Sequence, residues 1–192
     1  DFEKRCVKEQ LKSLTLVRVG TSGGLQMECP VGSYVVAKRS IGFDGLLNFY
    51  ANSSEIFDID FEDKFKQHTN WNNRLAAPYV VSSDEELVER IGKGMIRGVT
   101  ISAPGFYGPQ GRFVRLAPND MNLNEKITSF RYGDEMITNF EMESSALAGL
   151  SKMLGHKAMT VCSIIAGRIS KDMNTEYKGS IEELIKIVLE RI

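Results

Sequence analysis

The sequence predicts an α/β fold, with a central mostly parallel or mixed sheet flanked by helices. Short apolar runs of strand length alternate with segments whose apolar residues recur at helical spacing. Several of the runs are apolar at consecutive positions, as in strands covered on both faces. Gly- and Pro-rich punctuation follows them, with no internal repeat or low-complexity linker. With 192 residues, 42% of them hydrophobic, residues 1–192 are read as one domain with enough apolar material for a core.

Taken in order, LTLVRVG at 14–20 is a buried strand, and the TSGG after it reads as a tight loop. SYVVAKR at 33–39 is a second strand. From 48 to 73 the chain turns polar and aromatic with little periodicity, so loop and short irregular elements are expected there. Ser83 with Glu86 forms a capping box, and Leu87, Ile91 and Met95 carry an apolar stripe, which predicts a helix over about 84–93 closed by Gly94. MIRGVTISA is a strand, and PGFYGPQGR after it is a loop. Ala146, Leu147, Leu150, Met153 and Leu154 predict a helix over 141–154 ended by Gly155. AMTVCSII is the next strand, and Ser180 with Glu183 caps a final helix through ELIKIVLERI.

Composition excludes several function classes. A formal net charge of -1 with dispersed Lys and Arg provides no basic field for a nucleic-acid backbone, so a small-molecule role is favoured. Cys6, Cys29 and Cys162 are too widely spaced for a CxxC zinc site or a disulfide framework, and His68 and His156 lie far apart. No metal is expected, and the compartment is read as reducing and cytoplasmic. The apolar stretches are shorter than the roughly 20 residues a membrane span requires. The opening DFEKRCVKEQLK has no starting Met and resembles no signal peptide, so the chain is expected to be partial at its N-terminus.

Three polar clusters follow strands, where ligands bind in open α/β sheets. In VRVGTSGG, Arg18, Gly20 and Thr21 offer a guanidinium, freed backbone amides and a hydroxyl to a phosphate dianion, although such a turn alone more often serves chain reversal. In the Gly-Pro loop, Phe106 can stack on a planar base while Gln110 and Arg112 read its edge. For uracil, the Gln110 oxygen would accept from N3–H, its NH2 would donate to O2, and Arg112 would donate to O4. Glu141, Met142 and Glu143 form the third cluster. Residues two apart on a helix do not share a face, so one carboxylate, taken as Glu143, is expected to hold ribose hydroxyls near an oxocarbenium-like transition state. Taken alone, an ExE at a helix start is more often a response to the macrodipole.

Together, RVGTSGG, FYGPQGR, NFEMESSAL and SIIAGR resemble the nucleoside phosphorylase family, which holds uridine phosphorylases and hexameric purine nucleoside phosphorylases, across nearly the whole chain. The resemblance implies a three-layer phosphorylase-like fold in one domain, incomplete at its N-terminus. It implies Arg18, Gly20 and Thr21 on phosphate, Glu141, Met142 and Glu143 on ribose, and Phe106, Gln110, Arg112, Ile165 and Arg168 on the base. Purine-specific relatives place an aspartate after the strand matching MTVCSIIAG. Here Ile165, Ala166, Gly167 and Arg168 follow, which favours a pyrimidine. The expected reaction is phosphorolysis of uridine to uracil and ribose 1-phosphate in pyrimidine salvage, by a homo-oligomeric pentosyltransferase. Inorganic phosphate is its co-substrate and no cofactor is implied. Alternatives are a purine nucleoside phosphorylase, a nucleosidase of the same fold, or a non-catalytic nucleoside-binding fragment.

Overall fold

A computed structural model describes residues 12–192; Cys6 and the opening segment lie outside them. In chain order the elements are β1 (Thr15–Gly24), β2 (Tyr34–Gly42), α1 (Ile59–Thr69), β3 (Tyr79–Ser82), α2 (Glu85–Ile91) and β4 (Ile96–Ser102). There follow α3 (Leu123–Ser129), β5 (Arg131–Tyr132), β6 (Glu135–Glu141), α4 (Ser144–Met153), β7 (Lys157–Gly167) and α5 (Lys178–Arg191).

The sheet is mixed. β7 runs parallel to β1 and antiparallel to β2, while β2, β4 and β6 run parallel to one another. The tip of β6 then returns antiparallel to the tip of β1, pairing Phe140 with Gly23 and Asn139 with Gly24, so the sheet curls toward closure. This curl is what brings the ends of β1, β4, β6 and β7 together.

Helices cover the sheet through apolar contacts. Phe61 and Phe65 of α1, Ile127 of α3 and Phe130 just after it pack with Phe43, Ile101, Ile137 and Phe140. Leu87, Val88 and Ile91 of α2 meet Leu184 and Val188 of α5 over Val36, Met159 and Val161. Ala148 of α4 packs with Leu47, Tyr79 and Val81. No helix among the described residues is long and apolar enough to cross a membrane.

Several expectations are corrected. TSGG is not a loop but the end of β1, because parallel pairing with β7 satisfies its backbone up to a register shift between Ser22 and Gly23. The stretch 48–73 contains an eleven-residue helix, α1, whose N-cap is Asp58, with its carboxylate accepting from Phe61 N at 3.1 Å. Asp84, not Ser83, caps α2, and Ser83 Oγ instead donates to Ala37 O at 2.6 Å. Helix α4 begins at Ser144 rather than at residue 141. Helix α5 starts two residues before Ser180, whose hydroxyl lies 2.9 Å from Ser163 Oγ rather than capping the helix.

Candidate functional site

Glu141 is the last residue of β6, and its carboxylate is 1% exposed. One oxygen accepts from the hydroxyls of Ser102 at 2.5 Å and Ser144 at 2.7 Å. The other accepts from the backbone N–H groups of Glu143 and Ser144, both at 2.9 Å, and meets Arg18 Nη1 at 3.1 Å. Those two amides open α4 and have no intrahelical acceptor, so the carboxylate serves as the helix's anion. Ser102 ends β4 and also accepts from Ser145 N at 2.9 Å, tying the strand to the same helix start.

Arg18 projects from β1 into this cluster. Its second nitrogen pairs with the Glu143 carboxylate, which is 58% exposed, and Nη1 lies 3.5 Å from Cys162 Sγ. Gly20 makes room for the folded-back guanidinium, since a Cβ there would lie 2.9 Å from Nη1. Burial works against the Arg18 charge, but the negative groups facing it, Glu141 and Glu143 and at high pH the Cys162 thiolate, outweigh it and hold the guanidinium above its ordinary value. Burial pushes the Cys162 thiol up to about 12, so it is a neutral thiol at neutral pH and the carboxylates carry the stabilisation of Arg18.

The second cluster stands on the loop after β4. Gln110 is 4% exposed, and its side-chain oxygen accepts from Arg112 Nη1 at 2.6 Å and Arg168 Nη2 at 2.8 Å. Guanidinium nitrogens only donate, so the oxygen has to face them and the amide NH2 points elsewhere. Arg112 also donates to Phe106 O, and its guanidinium lies 3.6 Å from the centre of the Phe106 ring, which is half exposed. Arg168, just past β7, donates to Gln110 O at 2.8 Å and lies over Phe140 at 5.3 Å. Burial, then the like charge of Arg112, lowers the Arg168 pKa to about 10.

The clusters share strand ends. Ala103 N donates to Glu141 O and Arg168 N donates to Gly24 O, both at 2.9 Å, so the loop after β4 and the end of β7 are pinned to the strands that carry Arg18 and Glu141. Thr21 pairs with Ser163 in the β1–β7 ladder, Ile165 is half-buried at the end of β7, and Met142 is exposed between the two glutamates.

Glu141 and Glu143 both reach Arg18, because they sit on a strand end and a helix cap rather than on one helix, which corrects the expectation of a single inward carboxylate. The resemblance places Glu141 on ribose; in this structure both its oxygens hold partners within the chain. Sequence reading also missed Ser102, Ser144 and Cys162, whose partners lie far along the chain. A separate cavity of about 530 Å³ borders the loop after β4, lined by Phe43, Trp71, Leu75, Pro109, Pro118 and Leu123 among others. None of Arg18, Gln110, Arg112, Glu141 or Arg168 lines it.

The chain is similar to known proteins along almost its whole length. Uridine phosphorylase of Thermococcus kodakarensis is 26% identical over 186 residues, covering 92% of this chain and 58% of the relative. The Escherichia coli uridine phosphorylase is 27% identical over 188 residues, covering 94% of this chain and 65% of the relative. The chain therefore spans roughly three-fifths of the length of these curated relatives. Among solved structures, a Trypanosoma brucei nucleoside phosphorylase described as showing uridine phosphorylase activity superposes with a TM-score of 0.81 at 26% identity, over 92% of this chain and 62% of that one. A Schistosoma mansoni uridine phosphorylase in complex with thymine shares the fold, with a TM-score of 0.67 at 21% identity over 98% of this chain and 64% of that one. The sequence profile of the Phosphorylase superfamily matches residues 3–190, and the chain belongs to that family.

Proposed function

We propose that this site serves phosphorolysis of uridine, giving uracil and ribose 1-phosphate. The observation that carries the reading is the buried Gln110 amide clasped by Arg112 and Arg168 beside the Phe106 ring. A carboxamide read together with two cations suits a base with adjacent carbonyl and N–H groups, and it suits a leaving group that gathers negative charge. The names of the relatives support the same substrate class.

In the proposed step, a phosphate oxygen forms a bond to the ribose anomeric carbon as the bond to uracil N1 breaks, with the electron pair leaving on the base. The Gln110 oxygen already holds two donors, so the simple pairing with N3–H expected from sequence requires a change. Arg112 moves from Gln110 to uracil O4, freeing a lone pair for N3–H, and Arg168 keeps the amide oriented. Glu143 is exposed and gives up its contact with Arg18 to take ribose hydroxyls, with Met142 beside the sugar. Glu141 stays on Arg18.

Arg18, Gly20 and Thr21 form the proposed phosphate side. One guanidinium against two carboxylates leaves that cluster net negative, so a dianion there needs a further cation. The exposed apolar run of Phe113, Val114, Leu116 and Met121 supports a homo-oligomer that completes the site. The chemistry calls for neither metal nor organic cofactor.

The test is release of uracil from uridine by the full-length protein, with and without inorganic phosphate. Release that requires phosphate and yields ribose 1-phosphate is expected. Equal release without phosphate would make the protein a nucleosidase, and binding without release would make it a nucleoside-binding module.

A further inference from the structure

We propose that Asn124, on α3, is a positioning residue that sets the Gln110 amide by holding the turn that carries it. The proposal rests on the reading of Gln110 as the base-recognising residue. Asn124 Nδ2 donates to the main-chain oxygen of Gln110 at 3.2 Å, and Arg168 Nη1 donates to the same oxygen at 2.8 Å. Gln110 is thus held at its backbone from two sides and at its side chain by two arginines. Asn124 itself stands on firm ground, because Leu123 and Ile127 of its helix pack against the Phe61, Phe65 and Phe130 cluster.

The next residue of the turn is built for this contact. Gly111 has φ +69°, and a Cβ there would lie 2.3 Å from Asn124 Nδ2 and 2.7 Å from its Cγ. The Asn124 amide therefore lies flat against Gly111, which only a glycine permits. Polar strain is concentrated at the same place. Of the three buried side-chain polar atoms without a partner among the described residues, Asn124 Oδ1 and Arg168 Nε belong to the two residues that hold the Gln110 carbonyl, and the third is Ser40 Oγ. A buried unpaired amide oxygen is unfavourable. An alanine at 124 would remove that penalty, so the amide contributes through the bond it donates to Gln110.

The experiment uses the full-length protein and the variants Asn124→Ala, Asn124→Asp, Gly111→Ala and the double variant Gly111→Ala with Asn124→Ala. Uridine KM, phosphate KM, kcat, the thermal midpoint and hydrogen exchange over residues 106–112 are measured. Loss of one neutral hydrogen bond predicts about a fivefold rise in uridine KM for Asn124→Ala. Phosphate KM should stay within about twofold and the midpoint should be unchanged or higher. Asn124→Asp keeps the shape but turns an acceptor toward the carbonyl, and a rise of about tenfold is expected. Gly111→Ala should do less damage when Asn124 is already alanine, since the clash is then gone. Exchange at Gly111 N and Arg112 N, which bond to Gly108 O and Tyr107 O, should quicken in Asn124→Ala.

Unchanged uridine KM with unchanged exchange overturns the proposal. So does a parallel rise in both KM values with a fallen midpoint, which is the signature of a merely structural residue. If the unaltered protein fails to cleave uridine, the functional reading fails, while the exchange measurement still decides whether Asn124 holds the Gln110 turn.

Discussion

Replacing Glu141 probes how the strand ends are held. Glu141→Ala strips the acceptor from two opening amides of α4, takes from the Ser102 and Ser144 hydroxyls the oxygen to which both donate, and removes one of the two carboxylates on Arg18. Loss of an N-terminal cap costs about 1 kcal/mol. Breaking a buried ion pair costs about 3–5 kcal/mol, and the lower end applies because Glu143 still faces Arg18. The sum is about 4 kcal/mol, which for a chain of this size lowers the midpoint by roughly 8–16 °C. Glu141→Gln keeps an oxygen for the two amides, and its NH2 can donate to the rotated serine hydroxyls. It spares the cap but loses the same charge beside Arg18, so about 3 kcal/mol, or roughly 6–12 °C, is expected. Calorimetry of the two variants checks the pair of values. An alanine or a glutamine variant within about 1 kcal/mol of the unaltered protein would refute the description of Glu141 as the buried anion that joins β4, β6, α4 and Arg18.

Other outcomes follow from the same structure. Arg168→Met should leave stability within about 1 kcal/mol of the starting protein or raise it, because it removes a partly buried cation lying beside Arg112. It should still lower kcat/KM for uridine by tenfold or more, and unfolding curves with steady-state kinetics separate the two effects. Cys29, pushed up by burial to about 11, and Cys162, pushed up to about 12, should resist iodoacetamide at pH 8 until the protein is denatured, as peptide mass spectrometry would show. Both thiols titrate higher in the folded state than in the unfolded one, whose ordinary value is near 9.0. Above pH 9 the unfolded chain therefore binds fewer protons, and these two groups make stability fall as pH rises toward 11 or 12. Asp58→Ala should cost about 1–2 kcal/mol in urea unfolding, since that carboxylate both caps α1 and pairs with Arg39.

Much of the fold is legible because burial on both faces leaves continuous apolar runs. Strands β2, β4 and β7 follow directly from SYVVAKR, MIRGVTISA and AMTVCSII. The end of β1 is not legible, since Thr, Ser and Gly are turn formers and only the ladder to β7 overrides that preference. Helix α1 does carry a signal in Asp58 followed by Phe61 and Phe65, a cap and an i, i+4 apolar pair, but its low hydrophobicity hides it in a polar stretch.

The site divides in the same way. Arg18, Gln110 and Arg112 are visible because their residue types sit beside glycines that follow apolar runs, Glu143 because it opens an apolar helical stripe, and Arg168 through the family resemblance. The different roles of Glu141 and Glu143 depend on Ser102, 39 residues before Glu141, and on where α4 begins. No local pattern encodes either. Asn124 reaches Gln110 from 14 residues away on another element, so only the folded chain reveals the contact.

The proposed role of Gln110, Arg112 and Arg168 is recognition of a pyrimidine. The most direct measurement is the ratio of kcat/KM for uridine to that for inosine, with the full-length protein at saturating phosphate. A site built to pair with the uracil edge rejects a base lacking that pattern, so a ratio of about 100 or more in favour of uridine is predicted. A ratio near one, or preference for inosine, would contradict the account.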